Sequence, residues 1–346
     1  MGWRFDNGGW LSVGLVLAGC ASIPEAPAPV EVSTEPDVVS RSATAVPYVA
    51  PDRPSRHPPA PLPALPLDIR LSPSRPTQAS VVSIRIGEPP GPPLEDAVAT
   101  LAGFDVGLVR RERGWIGVAA LPLDSAGVFT LELTGTRNGS TVVERRTVWV
   151  SARVYPETRI GIPAREASDP EMDARIARER ALIESRLMSS SANWWPDDTF
   201  AWPRPAVRTS PFGERRMFNG SVRSRHMGLD LRGRRGQPVY AAAAGRVVLT
   251  GRFVYQGNAV YVDHGLGVVT AYFHFSSIDV EEGEVVEAGQ RLGRVGSTGR
   301  STAPHLHWSA YVNGESVDPE SLIGFRLFPK DSAADDDEVD RETRNH

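Results

Sequence analysis

"APHLHWSAYV", residues 303–312, sets two histidines one residue apart at the head of an apolar-rich run. Such a run predicts a strand, on which residues i and i+2 share a face, so His305 and His307 project together. Two imidazoles side by side need separate hydrogen-bond partners or a cation beside them. A second stretch, "RHMGLDLRG" (225–233), raises the same question with His226 and Asp230. Its spacing alone leaves three readings open: a surface pair, a hydrogen-bonded core pair, or two arms of a metal clamp. Read as extended, positions 226 and 230 also share a face. Two histidines and one aspartate are donors suited to zinc, and three protein ligands leave the fourth tetrahedral position for water. That is a catalytic arrangement; a structural site would be closed.

These stretches lie in a β-rich, glycine-punctuated region, 203–325, that holds five of the seven histidines. The fifth of them, His264 in "YVDHGLGVV", precedes the glycines of a hairpin turn and reads as structural. "FGERR" (212–216), "HMGLD" (226–230), "GQPVYAAAAGRVV" (236–248), "GNAVYVDHGLGVVTAYFH" (257–274), "GEVVEAGQRLGRVGSTGRSTAPHLHW" (283–308) and "VDP" (317–319) follow in order. Together they resemble the lysostaphin-type, or LytM-type, zinc endopeptidases over 210–322. Ala303 stands where many members have Gly, a small-for-small exchange.

The resemblance implies that His226, Asp230 and His307 ligate one zinc ion, and that His274 and His305 are unmetallated catalytic histidines. It implies a compact antiparallel β-sheet fold with the metal in a groove between loops, lined in part by "GSTGRST" (296–302). It also implies a substrate, the peptide cross-links of peptidoglycan, with D-Ala–diaminopimelate bonds expected over polyglycine bridges. Arg215 and Arg216 are candidates to meet a substrate carboxylate, with a solvated or structural role as the equal alternative. Asn219 is not expected at the metal. Non-enzymatic members that have lost metal residues activate cell-wall amidases, but the ligand set here is complete, which favours an enzyme. A wall-binding tether, with function in the N-terminal half, is the reading from another class.

Upstream, "WLSVGLVLAG" (10–19) is too short an apolar run to span a bilayer comfortably and fits a signal peptide over 1–19. "LAGC" resembles the bacterial lipobox, implying lipidation of Cys20 and export; by the same resemblance Ala21 after it implies, in a Gram-negative cell, the outer membrane, facing the periplasm. Cys20 is the one cysteine, which excludes a disulfide framework and a Cys-rich zinc site. Residues 20–66 form a Pro-rich linker with 12 of the 30 prolines, and 21–66 could reach roughly 140 Å as polyproline II. His57 within it reads as solvated.

Five β-patterned runs between 67 and 150 predict an immunoglobulin-like sandwich over 67–155, a spacer, stabilising partner or wall-facing module without a catalytic constellation. A helical connector follows over 165–200, with Met172, Ile176, Ile183 and Leu187 on one face. The fold class is therefore mainly β: sandwich, short helix, peptidase domain. The tail 326–346 is acidic; from 331 on it holds seven acids and two arginines against a whole-chain charge of −4. The remainder is near neutral, so no basic face for nucleic acid stands out. The partners expected are peptidoglycan, a membrane reached through the lipid anchor, and regulatory envelope proteins.

Overall fold

A computed structural model describes residues 67–112, 114–159, 169–191, 200–218 and 221–327, with only the backbone at 218 and 221–223. The signal peptide, Cys20, the Pro-rich linker with His57, Asn219, and the acidic tail from 328 lie outside the described residues. So do 160–168 and 192–199, which include parts of the connector. All described residues fall within one compact unit.

Residues 68–150 form two four-stranded antiparallel sheets. One runs in the order Asp68–Ser72, Val81–Gly87, Gly114–Ala120, Gly107–Arg111; the other runs Phe104–Asp105, Glu95–Leu101, Gly127–Arg137, Ser140–Val150. Val82, Ile84, Ile86, Leu131, Leu133 and Val148 share the core between them. The run "WIGVAAL" is apolar on both faces for a physical reason. Its residues Ile116, Val118 and Ala120, with Val81 of the neighbouring strand, turn away from that core and cluster with Leu266, Val312 and Val317 of the C-terminal region. Strands covered on both sides read as continuous apolar runs. Polar links reinforce this seam: Asp318 N donates to Ala79 O at 2.7 Å, and Arg153 pairs with buried Asp318 at 2.7 Å.

The helix spans Pro170–Met188, with the Asp169 side chain accepting from Glu171 N at 3.0 Å and Pro170 in the first turn. Only half of the expected apolar stripe is buried. Ile183 and Leu187 join Leu249, Phe253 and Tyr261, whereas Met172 remains 40% exposed and Ile176 intermediate. The middle of the helix is held by a polar contact instead, Glu179 Oε2 accepting from Val254 N at 2.7 Å.

The C-terminal region is built on an eight-stranded sheet. Its order is Arg208–Ser210, Leu229–Arg232, His305–Val312, Val268–Phe275, Gly257–Asp263, Gly245–Phe253, Val285–Val286, with Glu315–Val317 paired to His305–Val312. Every pairing in it is antiparallel. A hairpin of Arg215–Phe218 and Ser221–Arg225 stands beside it, and Glu157–Arg159 adds to that hairpin as a parallel strand.

Candidate metal centre

His307 is fixed by pairing on both sides. Its ladder partner on Leu229–Arg232 is Asp230, and its partner on Val268–Phe275 is Phe273. The Phe273 ring stacks on the imidazole at 5.1 Å and 4°. His226 arrives by another route. It follows the strand Ser221–Arg225, its N–H donates to Glu214 O at 3.0 Å, and its carbonyl accepts from Gly213 N at 2.7 Å. The chain then turns through Met227 and Gly228 into the next strand. The extended reading of 226–230 is thus corrected: a turn, and not a shared strand face, brings His226 to Asp230. Gly228 allows it, since a Cβ there would lie 2.3 Å from His307 Nε2.

Three atoms converge. His226 Nε2 lies 3.1 Å from Asp230 Oδ1 and 3.1 Å from His307 Nδ1, which is 2.9 Å from the same Oδ1. The surrounding acceptors fix the tautomers. His226 Nδ1 is 2.9 Å from Pro211 O, which can only accept, so Nδ1 carries the proton. Ser309 Oγ donates to Met227 O at 3.0 Å and therefore accepts from His307 Nε2 at 2.9 Å. Both rings turn a lone pair toward the carboxylate. Three lone pairs at such separations repel one another unless a cation sits among them, and His226 and Asp230 are buried at 4% and 8% exposure. Ligand atoms around a tetrahedral zinc at roughly 2.0–2.1 Å stand about 3.3 Å apart, so the triangle fits that ion with a few tenths of an ångström of spreading.

The electrostatics agree with neutral imidazoles at His307 and His274, whereas at His305 burial works to lower the pKa but the Asp230 carboxylate raises it above the ordinary value. Burial pushes His307 down to about 4, and burial together with His307 and His305 pushes His274 down to about 3. Burial works to raise the Asp230 carboxyl, but His226, His305 and His307 around it hold it well below the usual carboxylate range.

His274 and His305 stand beside the triangle, their rings 4.8 Å apart. His274 adopts a left-handed φ of 64° near the end of its strand, next to a register shift between Asn258 and Val260. A non-glycine residue there is strained, and such strain recurs at functional positions. Its Nδ1 donates to Thr298 O at 2.8 Å. His305 Nδ1 donates to Ala303 O at 2.8 Å, and its Nε2 lies 3.5 Å from Asp230 Oδ1. In its neutral form each ring therefore keeps Nε2 as an acceptor. The loop 296–304 supplies these carbonyls. His264 lies apart, fully buried, with Nδ1 donating to Ala244 O at 2.7 Å and Nε2 2.8 Å from Thr270 Oγ1. It is a core histidine.

Residues 224–319 match the family model described as Peptidase family M23. A crystal structure of a Pseudomonas aeruginosa protein assigned to peptidase M23 aligns at 32% identity and a TM-score of 0.55, covering 72% of this chain and 96% of that one. The chain belongs to peptidase family M23. M23 peptidases are zinc metallopeptidases, and the donor set described above suits zinc. Two curated relatives are informative by name. DD-carboxypeptidase/endopeptidase Mpg of Neisseria meningitidis serogroup B is 44% identical over 114 residues, 33% of this chain and 26% of that protein. Peptidoglycan DD-endopeptidase ShyA of Vibrio cholerae is 42% identical over 110 residues, 32% of this chain and 26% of that protein. The chain spans about a quarter of the length of these relatives.

Sequence reasoning missed Ser309, Gly228 and the carbonyls of Pro211 and Met227. Ser309 left a signal: it is two residues past His307 on the same strand, hence on the same face.

Proposed function

We propose that this M23 protein is a zinc-dependent endopeptidase that hydrolyses peptidoglycan cross-links, with the D-Ala–diaminopimelate bond as its target. The observation that carries this reading is the triangle of three inward lone pairs, His226 Nε2, Asp230 Oδ1 and His307 Nδ1, flanked by two imidazoles outside it. The names of the Neisseria and Vibrio relatives support the substrate class.

His226, Asp230 and His307 would hold the ion. When bound, zinc supplies Lewis-acid polarisation of the scissile carbonyl and of the attacking water. The remaining steps belong to the chain. His274 and His305 each fix Nδ1–H on a backbone carbonyl, which leaves Nε2 as the proton acceptor. A proton taken from water at either Nε2 turns that ring into a donor toward the developing oxyanion, and later supplies the proton for the leaving amine. Burial keeps His274 unprotonated at neutral pH, while at His305 burial is outweighed by the Asp230 carboxylate, which raises the pKa and makes His305 the stronger proton acceptor of the two.

A lipid anchor at Cys20 and a Pro-rich tether would place the enzyme at the outer membrane, facing the wall, where regulatory envelope proteins could reach it. Digestion of purified sacculi by the full chain, with mass analysis of the released muropeptides, tests the reading. Cross-linked dimers should become monomers, each cleavage adding one water. Intact dimers after incubation with zinc-loaded protein would refute it.

A further inference from the structure

Two guanidinium groups beside the metal centre have no carboxylate partner among the described residues, and their placement is specific. The hairpin Arg215–Phe218/Ser221–Arg225 pairs Arg215 with Arg225 and Arg216 with Ser224. Directly paired residues share a face and neighbours along a strand alternate. One face thus carries Arg215 and Arg225, which bind Glu157 at 3.3 Å and Asp124 at 3.1 Å. The other carries Arg216 and Ser224, and His226 continues it two residues on, held in the same ladder by Glu214 and Gly213. Arg216 therefore lies on the side of the hairpin that presents the metal ligand.

Arg300 approaches from the opposite loop. Its N–H donates to Tyr255 O at 2.9 Å, and its guanidinium lies over the Tyr255 ring at 4.7 Å, a fixed yet exposed pose. It sits between Thr298, whose carbonyl holds His274, and Ser301, whose hydroxyl is 3.3 Å from His305 Nδ1. Arg216 on the hairpin and Arg300 on the loop thus flank the metal centre from two sides, one through His226 and the other through His274 and His305. Among the described residues neither meets a carboxylate, whereas Arg215 and Arg225 on the other face of the hairpin both do.

We propose that Arg216 and Arg300 form a carboxylate-binding subsite that selects cross-links whose leaving nitrogen is borne by a carbon carrying a free carboxylate. The inference rests on the peptidase reading and deepens it by naming what the substrate must present. A diaminopimelate cross-link has that carboxylate next to the scissile amide; a polyglycine bridge does not. A guanidinium that has no carboxylate partner within the protein is open to one from a substrate, and it binds carboxylate in a planar, charge-assisted geometry.

The test uses zinc-loaded full-length protein and two cross-linked peptide dimers that differ only in this group, free carboxylate or carboxamide. Loss of a charge-assisted contact is worth about 10–100-fold. The wild type should cleave the acid with kcat/KM about 10–100-fold above the amide, mainly through KM. Arg216→Gln and Arg300→Gln should each lose most of that preference while still cleaving the amide, and Arg300→Lys should retain part of it. Equal cleavage of both dimers by the wild type, or an unchanged preference in the Gln variants, overturns the subsite and leaves the peptidase reading intact. Cleavage of neither dimer refutes the peptidase reading itself. Should a variant fail to fold, two measurements on wild-type protein decide the matter. Added salt should shrink the preference, and metal-free protein should bind the acidic product peptide more tightly than its amide. A salt-independent preference, or equal product binding, overturns the proposal.

Discussion

Asp230 and His307 are direct partners across one antiparallel ladder, and their facing atoms, Oδ1 and Nδ1, lie 2.9 Å apart. Two of the three metal-facing groups are therefore positioned by strand pairing, which forms with the core whether or not an ion is present. Chelation should leave far-UV circular dichroism unchanged and lower the melting temperature by several degrees. Zinc at a thousandfold over its Kd adds about 4 kcal/mol to the folded state. A chain that unfolds on chelation would contradict a preformed site.

Ser309 orients His307 without facing the triangle. Its hydroxyl donates a hydrogen bond to Met227 O and accepts one from His307 Nε2–H, which leaves the lone pair on Nδ1. Ser309→Ala removes that lock, and loss of such a partner costs about 10–100-fold in metal affinity. Competition with a colourimetric chelator should show this decrease, with the fold retained. An unchanged affinity would remove Ser309 from its positioning role.

His264 should make stability fall in acid. Burial pushes its pKa down to about 4, below the unfolded value near 6.5. The unfolded chain then binds the proton that the folded chain refuses. The stabilisation is complete above about 6.5 and declines as pH falls toward about 4, by roughly 3 kcal/mol across that window. Urea unfolding of metal-free protein at pH 7 and pH 5 should show a larger loss in the wild type than in His264→Gln. Equal losses would show that His264 is not the group responsible.

The two sheets of 68–150 and the C-terminal region share an apolar cluster, with Val118 fully buried among Leu266, Val312 and Val317. They should unfold together. Val118→Asp buries an unpaired charge and should cost more than about 3 kcal/mol. Tryptophan fluorescence and zinc release should then report a single transition, shifted down. Two separated transitions would mean independent domains.

What could be read beforehand follows the physics of each segment. "HLHWSAYV" obeys the two-residue period of a strand, so the shared face of His305 and His307 was legible. His226 was not placed correctly, because the turn at Met227–Gly228 is justified only by the distant His307 ring that occupies the space of a Cβ. The strands Glu95–Leu101 and Gly107–Arg111 escaped notice because "EDAVATL" and "GLVRR" mix charges into short runs. The helix stripe was overestimated at Met172 because periodicity does not say where the neighbouring sheet ends.

Zinc content of purified wild type, His307→Ala and His305→Ala, measured after dialysis against a buffer of defined free zinc, tests the central claim most directly. With His226, Asp230 and His307 as the ligands, the expected values are about one ion per chain, none, and about one, with His305→Ala inactive on sacculi despite its metal. Equal zinc loss in both variants, or a wild type that stays metal-free while folded, would contradict it.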